Sequence, residues 1–482
     1  MPDSRTLPLV VDLDGTLIKT DLLLETASQF VLSKPWRAYK LLTLLSNGKS
    51  CLKIYLSQNT NIDVTSLPYN DVLISWLKQK KSEGRVIVMA TASPRLLADK
   101  VAAHLGLFDE VLATDASTNL KALAKRMALV AKYGEKGFDY VGNDWADLPV
   151  WHAAFQAHVV SCSSGLIEVA RRQGNLGQVF SDGKMPLAKS FFKAMRPHQW
   201  VKNFLVFIPL LAAHRYGVVS SLESALVAFV VFGMTASSVY LLNDLVDVAD
   251  DRKHTNKRLR PFAAGHLSLL LGWLAWPVLL LCAFELAAAA LPWPFTLSLV
   301  AYFALTMVYS FWLKRIPMVD VLTLAGLYSL RIVAGAAAIS VPMTFWLLSF
   351  SMFMFLSLAF IKRYSELKRV FQNGQAKTLL GRGYNTQDLE LVANLGVSAG
   401  YTSVLVLALY IQDSHTASLY ATPQFIWLAC PLLLFWISRT WLIAHRGQMH
   451  EDPVVFALKD RVSWAVAALF AGVFVLAKVA IV

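Results

Sequence analysis

Carboxylates and bases crowd one short stretch of this sequence, residues 243–261 (NDLVDVADDRKHTNKRLRP), directly after a long apolar run at 224–242. The stretch supplies Asn243, Asp244, Asp247 and Asp251, then Arg252, Lys257, Arg258 and Arg260. On a helix Asp244, Asp247 and Asp251 fall three and four residues apart and share one face. Three like charges so close repel one another unless a cation lies between them. Hard oxygen ligands suit Mg²⁺, which commonly keeps substrate phosphate oxygens in its shell. The bases that follow suit the remaining phosphate charge, arginine in bidentate fashion. A solvated loop is the plain alternative, but an acidic cluster bordering a membrane span is more often a site.

A second set of chemical residues lies far upstream. Residues 7–13 form an apolar run ending in DLDGT, which reads as a buried strand feeding a glycine turn. Asp12 and Asp14 then project together from the strand's carboxyl end, where ligands bind in open α/β sheets. One carboxylate can attack a phosphoryl group and the other can protonate the leaving oxygen. A second strand at 85–90 runs into Thr91-Ala92-Ser93-Pro94, offering hydroxyls and a turn for a phosphate. Lys121 and Lys125 follow on a helical stretch. A third strand at 138–141 enters GNDWADLP, with Asn143, Asp144 and Asp147.

A third set is scattered among apolar runs. It comprises Arg196, Trp200, Lys202 and Asn203 in RPHQWVKN, then Tyr309, Lys314, Asp320 and Arg331, then Lys362, Arg363 and Glu366 in KRYSEL. Asp452, Asp460 and Arg461 follow in EDPVVFALKDR. Asp320 and Arg331 are three helical turns apart and can share a face, and charges within apolar helices are functional candidates by default. The alternatives are a buried structural ion pair and lone interfacial anchors. Gathered on one face with the acidic cluster, these residues would rim a polar pocket for a phosphorylated ligand.

The elements that must position these groups divide the chain. Of its 482 residues 56% are hydrophobic and only 16% charged. Residues 1–185 are water-compatible, whereas residues 186–482 carry apolar runs long enough to cross a bilayer. The fold class is therefore multi-domain: a Rossmann-like α/β domain followed by an all-α polytopic membrane bundle. Nine spans are expected, near 200–216, 220–242, 267–291, 294–313, 318–340, 343–361, 390–411, 424–443 and 463–482. Residues 21–80 form a helical cap over the first site, and 171–190 a Gly-rich linker. The cap's segment 30–56, with Lys34, Trp36, Arg37, Tyr39 and Lys40, suits a membrane surface, but an ordinary amphipathic cap helix is the preferred reading.

The net charge of +13 suits anionic lipid and phosphorylated substrates rather than nucleic acid, because much of it falls in short loops between spans. Basic loops alternate with loops that contain no Lys or Arg (near 291–294, 340–343 and 412–423), which places the basic loops and the N-terminal domain on the cytoplasmic side of an inner or plasma membrane. An odd span count would put Val482 outside. No removable signal peptide is evident. Four scattered cysteines, Cys51, Cys162, Cys282 and Cys430, have neither metal spacing nor a disulfide pattern.

The order DxDGT, hydroxyl, lysine, acidic motif over residues 7–160 resembles the haloacid-dehalogenase-like phosphatases. The resemblance implies Asp12 as nucleophile, Asp14 as acid/base, Thr91 as phosphate ligand and a lysine, for which Lys125 is preferred because KRMAL fits the family's K-x-x-x-L pattern and Lys121 is the alternative. Metal support would come from Asp12, from the Asp14 carbonyl and from the last motif. That motif has Asn143 where the family usually has an acid, so Asp144 or Asp147 would serve instead. From Arg196 onward the chain resembles the UbiA superfamily of intramembrane prenyltransferases, whose NDxxDxxxD stands as Asn243, Asp244, Asp247 and Asp251. RPHQWVKN, HTNKRLRPFAAG, YSLRIVAGA, KRYSEL and EDPVVFALKDR are similar to the decaprenyl-phosphate phosphoribosyltransferase branch. That branch implies Mg²⁺, phosphoribosyl diphosphate as donor and a polyprenyl phosphate as acceptor. Lys257, Arg258 and Arg260 would grip the donor, and Arg331, Lys362 and Arg363 the acceptor phosphate. The fused domain would remove the product's 5-phosphate. Prenyl transfer to an aromatic acceptor and a non-catalytic membrane scaffold are the rival readings.

Overall fold

The apolar triplet Leu9–Val11 is fully buried and forms the central strand (β1) of a six-stranded parallel sheet. Its partners are β2 (Ile87–Pro94), β3 (Glu110–Thr114), β4 (Asp139–Gly142), β5 (Ala157–Val160) and β6 (Leu176–Phe180), in the order β3-β2-β1-β4-β5-β6. This is the doubly wound order, whose direction reverses beside β1, and ligands collect at the carboxyl ends of the strands there. The computed structural model describes residues 7–115, 120–160, 163–181, 183–374, 379, 382–412, 420–449 and 452–478. Cys162, Glu451 and Val482, used above, lie outside the described residues.

Alternation along the strands splits the core in two, as pleating requires. Leu9 and Val11 join Leu13, Ile87 and Met89 on one face, and Val10 joins Val88, Tyr140 and Trp151 on the other. The insert after β1 folds as four helices: α1 (Leu22–Ser33), α2 (Tyr39–Ser46), α3 (Lys49–Asn59) and α4 (Asp71–Ser82). Asp21 caps α1 by accepting the Leu23 amide, and Asn70 caps α4 by accepting the Leu73 amide. Phe30, Leu52 and Leu56 make a small separate core between α1 and α3, against which Leu41 and Leu44 of α2 pack.

Two compact units result. One comprises the residues up to Met195 together with Tyr240–Trp276; the other comprises Arg196–Val239 and the chain from Pro277 onward. The 243–261 stretch thus groups with the sheet domain.

The second unit is helical. Among the described residues eight helices are long and apolar enough to cross a membrane: Val219–Val246, Leu269–Ala290, Trp293–Phe311, Val319–Ala338, Phe345–Gln372, Thr386–Gln412, Pro423–His445 and Arg461–Lys478. The first of the nine expected spans is the difference. Residues 197–212 form an eleven-residue 3₁₀ stretch, Pro197–Phe207, and a five-residue α-helix, Ile208–Ala212. Pro197 and Pro209 interrupt α-helical bonding, and buried Asn203 takes a side-chain partner. The bundle packs closely: Gly335 lies against the Val206 carbonyl, where an added Cβ would come within 2.1 Å of the oxygen.

Candidate active sites

At the carboxyl end of β1 the Asp12 amide donates to the Val141 carbonyl, which fixes the turn holding both aspartates. Gly15 sits at φ +74°, and a Cβ there would meet the Asn143 side chain at 2.3 Å, so glycine is required for this close approach. Asp14 accepts the Leu22 amide on Oδ1 (2.9 Å) and the Ser93 hydroxyl on Oδ2 (2.5 Å). Thr91 is fully buried, and its Oγ1 accepts the Ser93 amide at 3.0 Å. Lys125, not the exposed Lys121, reaches the site: Nζ donates to Asp12 Oδ1 at 2.8 Å and to the Tyr140 hydroxyl at 2.9 Å.

The last motif divides its work. Asp147 accepts the Tyr140 hydroxyl (2.8 Å) and the amides of Asn143 (2.9 Å) and Asp144 (3.0 Å). Asp144 turns to the Trp145 amide as a helix cap. Asn143 accepts the Thr16 hydroxyl at 3.1 Å. Burial, helped by the Asp21 charge, pushes the Asp14 carboxyl up to about 7, which suits a group that must hold a proton. Burial pushes Asp12 up to about 6 against the pull of Lys125. Burial also opposes the Lys125 charge, but Asp12 and Asp147 beside it hold its pKa above the ordinary value.

In the 243–261 stretch the helix does not run through unbroken. The span ends at Val246, and a short helix, Val248–Lys253, restarts after Asp247. The Asp247 and Asp251 amides nevertheless donate to the carbonyls four residues back, so the helical course continues across the break. Asp244 and Asp251 are buried, and the Arg260 guanidinium donates to both, at 3.2 and 2.6 Å. Burial raises the Asp251 carboxyl although Arg260 opposes it. Lys257 and Arg258 stand exposed on a 3₁₀ turn. Arg252 is engaged elsewhere: it makes a two-pronged ion pair with Glu25 of α1 (3.1 and 2.6 Å), and Nε donates to the Ala263 carbonyl.

Among the described residues no group of three or more His, Cys, Asp or Glu side chains closes as a metal cage at either place. That is compatible with Mg²⁺, which takes one or two carboxylates and completes its shell with substrate phosphate and water. Asp244 and Asp251, drawn onto one guanidinium nitrogen, are a hard-oxygen pair of that kind.

The helical unit gathers a second constellation. Lys202 and Lys362 both donate to Asp452 Oδ2, at 2.9 and 3.0 Å, and the Tyr328 hydroxyl donates to the same carboxylate at 3.2 Å. Burial would raise the Asp452 carboxyl, but Lys362 and Lys202 hold it well below the usual range. Arg331 donates to the Asn203 side chain (3.0 Å), the Tyr302 hydroxyl (2.9 Å) and the Leu327 carbonyl, and its guanidinium lies over the Tyr302 and Tyr328 rings.

The alternative of a buried ion pair between Asp320 and Arg331 does not hold. Asp320 pairs with the fully buried Arg363 at 2.6 Å and accepts the Tyr384 hydroxyl at 2.6 Å. Arg363 also pairs with Glu366, so two protein carboxylates neutralise its charge. Tyr309 accepts from Arg382 at 2.9 Å, Lys314 is half-buried on a 3₁₀ turn, and Arg196 takes a left-handed conformation before the 3₁₀ stretch. Sequence reasoning gave no place to Tyr140, Tyr302 or Tyr384, which bind charged groups through their hydroxyls, as does Tyr328 of YSLRIVAGA. Ser93, read as a hydroxyl for a phosphate, bonds Asp14 instead, and Asp452, read as part of a pocket rim, gathers two lysines.

These features define an α/β domain with a partly buried aspartate pair, joined to an apolar helical domain with an Asp-rich stretch at a span's end. Residues 204–465 match the UbiA prenyltransferase family, and the chain belongs to that family as an integral membrane protein. An uncharacterised protein of Sinorhizobium fredii, y4nM, is 35% identical over 474 residues, 98% of this chain and 91% of that protein. The decaprenyl-phosphate phosphoribosyltransferase of Mycobacterium tuberculosis is 35% identical over 287 residues, 57% of this chain and 90% of the relative. Among solved structures, a UbiA homolog from Archaeoglobus fulgidus bound to DMAPP and Mg²⁺ covers 60% of this chain and all of its own, at 18% identity and TM-score 0.45. A substrate-bound phosphoserine phosphatase covers 37% of this chain and 94% of its own, at 12% identity and TM-score 0.26.

Proposed function

We propose that the chain transfers a 5-phosphoribosyl group from phosphoribosyl diphosphate to a polyprenyl phosphate, and that its N-terminal domain then removes the 5-phosphate. One observation carries the transferase reading. Lys202 and Lys362 share a single carboxylate, with Arg331 held on the neighbouring Tyr328 ring, so three cations stand around the one Asp452 carboxylate. An anionic acceptor requires such an excess, whereas an aromatic acceptor does not. Similarity to the phosphoribosyltransferase of M. tuberculosis supports the same assignment.

In this reading Asp244, Asp247 and Asp251 would hold Mg²⁺ together with substrate oxygens, and the metal would neutralise charge on the departing pyrophosphate. Arg260, already aimed at two of these carboxylates, and exposed Lys257 and Arg258 take up diphosphate oxygens. The bond from the anomeric carbon to the diphosphate breaks, and an acceptor phosphate oxygen bonds to that carbon. That oxygen is already anionic, so it needs positioning by Lys202, Lys362 and Arg331 rather than a base. In the N-terminal domain Asp12 attacks the 5-phosphate, with Thr91 and Lys125 holding its oxygens, and Asp14 protonates the leaving ribose hydroxyl. Asp14 then takes a proton from the water that hydrolyses the phosphoaspartyl group. Both reactions are assigned to the cytoplasmic face of an inner or plasma membrane, on the charge of the loops.

The test is mass spectrometry of lipid products from the full chain given both substrates. The expected product is polyprenyl-phosphoryl ribose; Asp12→Asn should accumulate its 5-phosphorylated form, and Asp244→Ala should give neither. Transfer of a prenyl group to an aromatic acceptor, with no ribosylated lipid, would overturn the transferase assignment. Unaltered dephosphorylation by Asp12→Asn would overturn the phosphatase assignment alone.

A further inference from the structure

The helical insert of the first domain carries a surface that its own fold leaves uncovered. Leu41 and Leu44 of α2 pack inward on Phe30, Leu52 and Leu56. Trp36, Tyr39, Leu42 and Leu45, spaced by three, point the other way, with Trp36 70% and Leu42 74% exposed. Interleaved with them are Lys34, Arg37 and Lys40, followed by Lys49 and Lys53. From Thr26 to Ile62 the chain contains no Asp or Glu. Apolar groups flanked by aromatic and basic residues, with acidic residues excluded, characterise segments that lie in a lipid headgroup layer.

A second, independent observation places this insert beside the end of a membrane span. The Trp273 indole, one turn into the helix Leu269–Ala290, donates to the Ser28 hydroxyl of α1 at 3.0 Å. Arg252 and Lys253, in the segment between two spans, pair with Glu25 of α1 and with Asp63, which follows α3. Three polar ties thus fasten the insert to residues at the ends of spans, where lipid headgroups lie.

We propose that the outer face of α2, with the 3₁₀ turn Pro35–Arg37 before it, docks on the anionic lipid surface of the bilayer that the chain itself spans. Trp36, Tyr39, Leu42 and Leu45 enter the headgroup–acyl boundary, while Lys34, Arg37, Lys40 and Lys49 meet lipid phosphates. Each basic residue near such a surface strengthens binding about fivefold, and salt weakens it. The insert thereby fixes the height of the phosphatase site above the membrane, and this holds whatever lipid-borne substrate that site accepts.

The experiment uses the full chain with its four cysteines replaced by serine. A nitroxide is attached after Leu42→Cys, or after Lys78→Cys on α4 as an aqueous control, and the protein is reconstituted in nanodiscs. In phosphatidylglycerol-containing discs the Leu42 label should be more accessible to oxygen than to a water-soluble nickel chelate, and the Lys78 label the reverse. In phosphatidylcholine discs, in high salt, or with Arg37→Glu and Lys40→Glu added, the Leu42 label should shift toward water. An aqueous Leu42 label in both lipids overturns the proposal. So does spin–spin broadening between copies, which would mean that the face is covered by a second molecule of this chain.

Discussion

Replacing Lys125 by methionine separates the two chemistries proposed for this chain. The ammonium makes hydrogen bonds of 2.8 and 2.9 Å to Asp12 and Tyr140, lies 4.0 Å from Asp147, and is nearly excluded from solvent. Methionine keeps much of the stem's volume but leaves two buried carboxylates without a counter-charge. Breaking a buried pair in this way costs about 3–5 kcal/mol. Loss of one phosphate-holding cation should also lower dephosphorylation about 10²–10³-fold. Protonation of Asp12 offsets part of the stability loss. Its carboxyl is already raised to about 6, so it carries a proton at low pH and needs no partner there. The deficit should therefore grow as pH rises through about 6. Hydrogen exchange of peptides covering β1 and β4 in the full chain reads the stability term, and ³¹P NMR of the lipid product reads the chemistry. Ribosyl transfer should be unchanged. A Lys125→Met protein that dephosphorylates normally, while Lys121→Met does not, would refute this placement of the lysine.

Arg260→Met should lower ribosyl transfer about 10²–10³-fold at saturating acceptor, because it removes a guanidinium shared by Asp244 and Asp251; initial-rate assays on the lipid product check this. Asp139→Ala strands the buried Arg85 guanidinium and should cost the sheet domain about 3–5 kcal/mol, read as lost exchange protection in β2 and β4. Burial opposes the Asp139 charge, but His158 and Arg85 hold its carboxyl below the ordinary value. The folded pKa is thus the lower one, and this stabilisation is present above the usual carboxylate range and lost on acidification. Gly335→Ala drives a methyl against the Val206 carbonyl and should cost about 1–3 kcal/mol, read as a lower aggregation temperature in detergent.

The sequence made some of this legible because local periodicity encodes it. The two aspartates of DLDGT had to leave one strand end together, and Lys125 was favoured over Lys121 by its KRMAL context. Eight long apolar runs marked eight long helices. The stretch 197–212 misled because its composition is apolar on average, whereas Pro197, Asn203 and Pro209 govern its backbone. Pairings distant in sequence were hidden. Asp320 shares a helix with Arg331 but pairs with Arg363, and Arg252 stands in a basic run but pairs with Glu25, 227 residues away. Spacing describes which groups leave one element on the same side; it carries no information about which other element arrives to meet them. The tyrosines that bridge the charged groups give no periodic signal at all.

The clasp between Glu25 and Arg252 bears on how such a fusion can be taken apart. A gene cut after residue 195 would still encode Arg252, now facing water or lipid with its carboxylate on a separate polypeptide. The relative from M. tuberculosis, aligned with little more than half of this chain, shows that sequences like the second part occur in a shorter protein. Severed halves of this one would have to find each other again through contacts such as those of Arg252, Lys253 and Trp273. Supplying the missing piece in trans should therefore succeed only at concentrations high enough to replace the tether.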